Sequence, residues 1–314
     1  MKNSLVVVGS ANVDFSAKCE RLPSKGETVL ASSLEISFGG KGANQALAAL
    51  KGGADVFFIT KVGCDEWGRR YRDYLKSKGI SENGILRDKR EHTGIALITV
   101  DEKGENIISV YPGANSLLCP NDVLRGEVFF KKSSVLLLQL EIPMETVDKS
   151  LSLAKENRLL TILNPAPSRR LANSLLKKVD LLTPNRKEAE EISGIKIGSK
   201  RDALKSAEIL MKKGVKSVVI TLGREGAIFH SINKTLSFKP PTVNAIDSTG
   251  AGDAFNGALA AYISRGEDIE NACRMAVAAG TFSVGRRGIH NSYGTERQIK
   301  KINRLVEVRE IKCN

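Results

Sequence analysis

The feature that most constrains the fold is an alternation of short apolar runs and helix-forming segments in the second half of the chain. The apolar runs of strand length occupy residues 134–139, 159–163, 179–182 and 218–221. Two more runs of this kind lie in the first half, at residues 5–8 and 56–59. Strands separated by helices pair in parallel through right-handed crossovers. The pattern therefore predicts an α/β fold with a parallel sheet.

Helical periodicity and helix-ending residues define the segments between these strands. The predicted helices that bear on the fold occupy residues 67–78, 143–157, 269–283 and 295–306. The first of them is amphipathic and ends at Gly79, as a glycine after a helix predicts.

One pair of runs departs from this alternation. Residues 93–100 and 106–111 are rich in β-forming residues, and only a short turn joins them. Such a pair is typical of a hairpin and not of a βαβ unit. We interpret it as a small lid over a ligand site, with a hairpin at the sheet edge as the alternative.

The net charge of +13 on 314 residues raises the question of nucleic-acid binding. Aromatic residues make up only 5% of the chain and are not interleaved with its basic clusters, as stacking on bases would need. We therefore expect lysine-rich solvated surfaces that attract anionic small molecules, and no nucleic-acid partner.

Other function classes are disfavoured by the distribution of apolar residues and cysteines. No apolar run reaches the length of a membrane-spanning helix, and residues 5–8 are too few for a signal peptide. The expectation is a cytoplasmic protein with no membrane partner. The cysteines are scattered singly with no CxxC pair, which argues against a disulfide framework and a zinc cluster. They are Cys19, Cys64, Cys119, Cys273 and Cys313.

Residues 247–256 pass from a turn with two glycines into a run of helix formers. The start of a helix offers unpaired N–H groups and the positive end of its dipole, which together attract phosphate. Gly250 and Gly252 let a phosphate approach the backbone closely, and Asp253 could accept a proton from an attacking hydroxyl. The segment indicates phosphoryl transfer. An ordinary capped helix after a glycine turn is the alternative.

A second glycine-rich helix start occupies residues 39–50 and contains Lys41 and Asn44. A charged donor beside an amide that both donates and accepts suits sugar hydroxyls. The segment lacks the GxxxxGK[ST] pattern of a phosphate loop. Asn12 and Asp14 follow the first strand, at the edge where open α/β sheets bind ligands. A structural glycine turn and a helix cap are the alternatives.

Two further segments could bind ions. Asn185 and Glu188 lie three residues apart at a helix start, so both could face one ion or phosphate, although a capping arrangement explains the spacing equally. The loop at 284–292 could supply carbonyl oxygens to a monovalent cation.

Together, residues 39–46 and 247–255 resemble the two signatures of the ribokinase family of carbohydrate kinases, and residues 185–188 resemble its NxxE element. The similarity extends along nearly the whole chain. It implies one α/β domain, residues 1–314, with a doubly wound, mainly parallel sheet flanked by helices. It also implies a small β-strand lid, built from segments near 13–18, 28–38 and 93–111.

The resemblance also implies roles for individual residues. Asp253 would be the catalytic base, and Gly250, Ala251 and Gly252 would direct their amides at the transferring phosphoryl group. The sugar hydroxyls would be held by Asn12, Asp14, Gly40, Lys41, Asn44, Glu141 and Asp253. ATP would contact Asn185, Glu188, Thr221, Gly223, Gly226 and Gly252.

Two metal ions are implied as well. Asn185 and Glu188 would help to place Mg²⁺, mainly through water. An activating K⁺ would be bound, partly through backbone oxygens, by Asp247, Thr249, Ser283, Arg286, Gly288 and Ser292. The chain departs from the family pattern at Gly285, Tyr293 and Val277. These departures bear on the cation loop and on the adenine contact, and not on the catalytic segments.

The function hypothesis is therefore ATP-dependent phosphorylation of D-ribose at its 5-hydroxyl. A kinase of deoxyribose, another sugar or a nucleoside is the alternative within the family. A sugar-binding regulatory protein without activity is the alternative outside it, and Asp253 argues against this because binding alone needs no base. A homodimer formed through the lid is the expected assembly, since the edges of a small sheet need cover.

Overall fold

The computed structural model describes residues 4–311, and fourteen β-strands occur in this part of the chain. In chain order they are β1 (Ser4–Val8), β2 (Asn12–Cys19), β3 (Ala31–Gly39), β4 (Asp55–Gly63), β5 (Ile85–Asp88), β6 (Gly94–Val100), β7 (Asn106–Tyr111), β8 (Val135–Leu138), β9 (Leu160–Leu163), β10 (Leu181–Leu182), β11 (Ser217–Thr221), β12 (Ala227–Ser231), β13 (Thr235–Lys239) and β14 (Glu307–Glu310). Cys313 lies outside the described residues.

Eleven α-helices connect these strands within residues 4–311. They are α1 (Lys41–Lys51), α2 (Glu66–Ser77), α3 (Pro120–Arg125), α4 (Glu127–Lys132), α5 (Met144–Glu156), α6 (Asn173–Leu176), α7 (Arg186–Ser193), α8 (Lys200–Lys212), α9 (Ala251–Ser264), α10 (Ile269–Val284) and α11 (Glu296–Asn303).

Ten strands form one sheet in the order β14-β13-β12-β11-β10-β9-β8-β1-β4-β5. All neighbours from β11 to β5 pair in parallel, and β12, β13 and β14 extend the sheet in antiparallel fashion. The predicted α/β fold with a mainly parallel sheet is confirmed. The antiparallel extension is an addition that the βα alternation did not indicate.

Apolar cores cover both faces of this large sheet, as a doubly wound fold requires. Leu5 and Val7 of β1 point into the core built with α1, α2, α9 and α10. Val6 and Val8 point into the core built with α5, α7 and α8. Successive residues of a strand face opposite sides, and a strand covered on both sides is apolar at every position. This explains the continuous apolar run at the start of the chain.

A second, smaller sheet contains four strands in the order β3-β2-β6-β7. β6 and β7 pair antiparallel, which confirms the predicted hairpin. β2 joins it in parallel and β3 completes it, so that β3 and β7 form its edges. β3 begins at Ala31 and not at residue 28, because its pairing with β2 ends at a bulge next to Cys19.

Most predicted bounds differ from the observed ones by a residue or two. Some elements are shorter than predicted. The segment 179–182 contributes only Leu181 and Leu182 to the sheet. The last helix ends at Asn303 instead of residue 306, because a short turn leads from it into β14. Among residues 4–311, no helix is both long enough and apolar enough to cross a membrane.

Candidate active site

The candidate site lies at the carboxyl ends of β1 and β8, where α1 and α9 begin. The turn after β1 lies against the start of α1, since a Cβ on Gly42 would be 2.5 Å from the carbonyl carbon of Gly9. Helix α1 packs equally closely on α9, and a Cβ on Gly257 would be 2.5 Å from the Cβ of Ala48. Small residues thus let both helix starts converge at the ligand-binding edge of the sheet.

Asp253 lies in the first turn of α9 and is buried. Its Oδ2 accepts a hydrogen bond from Nδ2 of Asn44 at 2.9 Å. Its Oδ1 accepts one from Nε2 of Gln45, also at 2.9 Å. Two fixed donors hold the carboxylate in one orientation, and each oxygen keeps a lone pair for a further hydroxyl. This arrangement suits a base that must meet its proton donor at a defined position.

Further donors orient both of these amides. Nε2 of His290 lies 2.8 Å from Oδ1 of Asn44, and Nε2 of Gln139 donates to Oε1 of Gln45 at 2.6 Å. Gln45 also donates to Oδ1 of Asn164 at 3.0 Å. Burial, and more weakly the charges of nearby lysines, lowers the pKa of His290 to about 3. The imidazole is therefore neutral at neutral pH.

Four carboxylates surround one lysine in the site. Burial, followed by the charges of Glu141 and Asp253, raises the pKa of Asp14 to about 7, although Lys41 opposes this shift. Burial also raises the pKa of Glu188 to about 7. Burial opposes the charge on Lys41, yet these carboxylates raise its pKa. The lysine therefore stays charged. A hydrogen-bond donor or a cation that enters the site would stabilise the ionised form of the carboxylates around it.

The junction between the two sheets forms the predicted sugar side. Nδ2 of Asn115 donates to Oδ1 of Asn12 at 2.7 Å. Gly40 has φ 88° and leaves room for the Asn12 amide, from which a Cβ would be only 2.7 Å away. The Glu141 carboxylate accepts from the backbone N–H of Lys41 at 3.0 Å. The structure thus brings together all of the predicted sugar ligands, namely Asn12, Asp14, Gly40, Lys41, Asn44, Glu141 and Asp253.

The helix start before Asp253 offers open amides. Gly250 adopts φ 75°, and a Cβ there would be 2.9 Å from Cγ2 of Ile289, so only glycine fits. A Cβ on Gly252 would meet no atom within 4 Å, so space is open beside it. The N–H of Ala251 donates to the carbonyl of Ser248 at 3.2 Å. Among the described residues the Ala251 amide thus has an acceptor, whereas those of Gly250 and Gly252 have none.

The predicted nucleotide side begins at α7. Asn185 caps this helix and forms a capping box with Glu188, in which Nδ2 of Asn185 and Oε1 of Glu188 are 2.8 Å apart. Asn185 also forms an isolated parallel bridge with Thr221. Gly223 is exposed and has open space around it. Gly226 differs, since a Cβ there would collide with the carbonyl oxygen of Phe238. This close packing and a left-handed φ of 92° both require glycine at position 226.

The predicted cation loop lies against the turn before α9. Oδ2 of Asp247 accepts from the amide of Gly288 at 3.2 Å, and Oδ1 accepts from that of Thr249 at 2.9 Å. The hydroxyl of Ser283 donates to the carbonyl of Gly280 within α10, and that of Ser292 donates to the carbonyl of Ile289 in the loop. The guanidinium of Arg286 lies 3.5 Å from the ring centre of Phe282. Since a guanidinium is a cation without an acceptor, Arg286 can offer a metal ion only its carbonyl oxygen.

Several residues that complete the site were absent from the sequence prediction. Gln45, Gln139, Asn164 and His290 form the hydrogen bonds behind Asp253. Gln45 directly follows Asn44 in the second glycine-rich segment, and Gln139 and Asn164 stand at strand ends, where polar residues face the binding edge. The positions of these three residues in the sequence could therefore have indicated a role in the site. For His290 the sequence offered none, because it lies 246 residues from its partner Asn44.

Comparison with known proteins finds a matching family and similar enzymes. The family model described as pfkB family carbohydrate kinase matches residues 2–296. Ribokinase from Haemophilus influenzae is 36% identical over 298 residues, which cover 95% of this chain and 97% of that protein. Deoxyribokinase from Salmonella typhi is 34% identical over 307 residues, which cover 98% and 99% of the two chains.

A solved structure gives the same result for the fold. The ribokinase of Arabidopsis thaliana complexed with ribose and ATP superposes with a TM-score of 0.89 at 29% identity, covering 96% of this chain and 99% of that one. The family model spans both the turn at Asp253 and the segment at Lys41. The chain belongs to the pfkB family of carbohydrate kinases.

Proposed function

We propose that this sugar kinase transfers the γ-phosphoryl group of ATP to the 5-hydroxyl of D-ribose. The observation that carries the proposal is the placement of Asp253. Its carboxylate is fixed by Asn44 and Gln45 at a helix start whose Gly250 and Gly252 amides are open. A base and an anion site thus lie within one helical turn, beside the cluster formed by Asp14, Glu141 and Lys41. A sugar-binding protein without activity would need the cluster alone.

The geometry supports an in-line transfer. As the 5-hydroxyl oxygen bonds to the γ-phosphorus, the bond to the bridging oxygen of ADP breaks, and the hydroxyl proton passes to Asp253. The open amides of Gly250 and Gly252 and the dipole of α9 stabilise the charge on the transferring group. Lys41 and the acids around it hold the remaining hydroxyls, so that the 5-hydroxyl is the one presented to the base.

The ions implied by the family fit the residues present. Within residues 4–311 no cluster of three or more acidic, histidine or cysteine side chains could hold a metal by itself. Mg²⁺ would therefore depend on the ATP phosphates and water, with Glu188 near it. When bound, Mg²⁺ neutralises phosphate charge. The carboxylate of Asp247 and the carbonyls of Ser283, Arg286 and Gly288 suit K⁺, because hard cations prefer oxygen ligands.

We further propose that the chain is one catalytic unit and that its small sheet acts as a lid and as the interface of a homodimer. Strand register places one row of large apolar side chains on the face of this sheet opposite Asp14. They are Leu34, Ile36, Leu97 and Ile107, with exposed fractions of 63%, 46%, 57% and 51%. An exposed apolar patch of this kind, on a small sheet with two open edge strands, is typical of an interaction surface.

A cytoplasmic location is part of the same proposal. The enzyme consumes ATP, and its four described cysteines are free thiols, which fits a reducing compartment.

The experiment is a coupled ADP-release assay with D-ribose, 2-deoxyribose, other pentoses, hexoses and nucleosides, each with K⁺ and with Na⁺. We expect the highest kcat/KM with D-ribose and faster turnover in K⁺. A preference for 2-deoxyribose would assign the activity of the Salmonella relative. Turnover of none of these compounds would contradict the proposed function, and equal rates in K⁺ and Na⁺ would remove only the role of K⁺.

A further inference from the structure

A chain of hydrogen bonds leads from the outer helix α2 to the proposed base. The hydroxyl of Tyr74 lies 2.8 Å from Nδ1 of His290. Nε2 of the same imidazole lies 2.8 Å from Oδ1 of Asn44. Nδ2 of Asn44 donates to Oδ2 of Asp253 at 2.9 Å. Helices α2, α1 and α9 and the loop before α11 each contribute one member.

The direction of donation along this chain is fixed at its inner end. An ionised carboxylate can only accept, so Asn44 must present its NH₂ to Asp253 and its oxygen to His290. Nε2 of His290 must then carry the proton. A neutral imidazole has one N–H, so Nδ1 is the acceptor and the hydroxyl of Tyr74 must donate to it. Every donor therefore points toward the carboxylate.

Packing holds the imidazole at this position independently of the hydrogen bonds. The ring of His290 stacks on that of Tyr74, with centroids 5.6 Å apart, and lies 5.9 Å from that of Tyr293. Nζ of Lys51 binds the backbone carbonyls of His290 and Tyr293, each at 3.1 Å. The loop is thus anchored through its backbone, and the side chain at position 290 can be replaced without releasing it.

We propose that His290 is a positioning residue, which keeps the NH₂ group of Asn44 turned toward Asp253. The inference rests on the proposed kinase function. Without a donor at position 290, the Asn44 amide oxygen is left unpaired in a buried site, and of the two hydrogen bonds that hold this side chain only the one to Asp253 remains. One of the two donors on Asp253 would then be held less firmly, and the sugar hydroxyl would meet a base in variable orientation. The loss belongs to the transfer step and should appear in kcat.

The first test compares His290→Leu with His290→Gln. Leucine fills similar space and forms no hydrogen bond, whereas the glutamine amide can donate to Asn44 and accept from Tyr74. We expect His290→Leu to lower kcat about tenfold to a hundredfold, a part of what a general base contributes, with the KM for ATP unchanged. His290→Gln should stay within about threefold of the wild type. Arg297→Ala, exposed in the following helix α11 and outside the site, should leave kcat unchanged.

The second test needs no activity. The ¹⁵N NMR shifts of the imidazoles in the wild-type protein without substrate report which nitrogen carries the proton. The chain has three histidines, and the spectrum of His290→Gln identifies the signal in question. We expect the Nε2–H tautomer.

The outcomes separate the proposals. An Nδ1–H tautomer, an unchanged kcat in His290→Leu, or an equal loss in the Leu and Gln variants would each overturn the role of His290. A wild-type protein that phosphorylates no sugar would contradict the proposed function instead, and the tautomer would still decide whether the hydrogen-bond chain exists.

Discussion

At the scale of single residues, the two side-chain amides that donate to Asp253 determine the effect of an asparagine at this position. In Asp253→Asn, one of the two donors from Asn44 and Gln45 must face an NH₂ group instead of an oxygen. We expect kcat to fall by at least about a hundredfold, because the base is lost. The mismatched donors should also lower the free energy of unfolding by roughly 1–3 kcal/mol. Steady-state kinetics and urea unfolding measure the two effects.

The same variant should still bind sugar, since the other hydroxyl ligands remain. Calorimetric titration with D-ribose is expected to give a Kd within about tenfold of the wild type, as the loss of one hydrogen bond would allow. Full turnover in Asp253→Asn would show that another group accepts the proton.

Asp14 makes a prediction about stability and pH. Burial raises its pKa from 3.8 to about 7, so the native protein binds this proton more tightly than the unfolded chain does. The contribution of Asp14 to the free energy of unfolding therefore falls as pH rises from about 4 to 7. Above pH 7 the ionised Asp14 lowers the free energy of unfolding by its full amount, which is at most about 4 kcal/mol.

Asp14→Asn removes this penalty. At pH 8 we expect a higher free energy of unfolding than in the wild type, and at pH 4 a difference near zero. The sugar KM should rise at least about tenfold, since a charged acceptor is lost from the pocket. Denaturant titrations at both pH values, alongside kinetics, check the prediction. A variant less stable than the wild type at pH 8 would contradict it.

How far residues can be assigned from sequence depends on whether their partners are local. Lys41, Asn44 and Asp253 stand in short glycine-bearing segments whose local geometry already indicates a ligand. His290 and Gln139 matter only through contacts made by the folded chain, 246 and 94 residues away in sequence. No local pattern carries that information.

At the scale of elements, the start of α9 can be tested through Gly252. A Cβ there would meet nothing within 4 Å, so Gly252→Ala should fold normally and gain up to about 1 kcal/mol of stability from helix propensity. The added methyl group would project into the space beside the open amides, where the phosphoryl group must approach. We expect kcat/KM for ATP to fall at least about tenfold.

The control is Gly198→Ala, at a position that likewise has room for a Cβ and has no positive φ. It should leave kcat/KM unchanged. If both variants kept full activity, the Gly252 amide would not be part of the phosphate site.

Elements were predictable where one local pattern dominated. Helices α2 and α5 lie within a residue of their predicted bounds because caps and end signals mark them. Strands β12 and β13 were missed, since the short turn between them breaks the βα alternation. The pairing of β2 with β6 is also beyond local patterns, because it joins segments more than seventy residues apart.

At the scale of the whole molecule, the parallel order of the large sheet follows from the βα alternation and the handedness of crossovers. The small sheet does not, because its strands come from two separate parts of the first half of the chain. What the sequence did indicate is a hairpin that leaves the main sheet. In the fold, one apolar face of this hairpin is not buried by the rest of the chain. We propose that a second copy of the chain buries it.

A charged side chain in that face provides the test. Leu97 is central in the exposed row, with 57% of its surface accessible, while Leu305 is 60% accessible at the opposite end of the chain. Light scattering after size exclusion should give the wild type and Leu305→Asp twice the mass of one chain. In Leu97→Asp, burial of an unpaired carboxylate opposes association by several kcal/mol, so the mass should fall to that of one chain at micromolar concentration.

Because Leu97 points away from Asp14, any loss of activity in the monomer would arise from the lid and not from the sugar contacts. A wild-type protein with the mass of one chain would contradict the proposed dimer, and equal masses for the two variants would place its interface elsewhere.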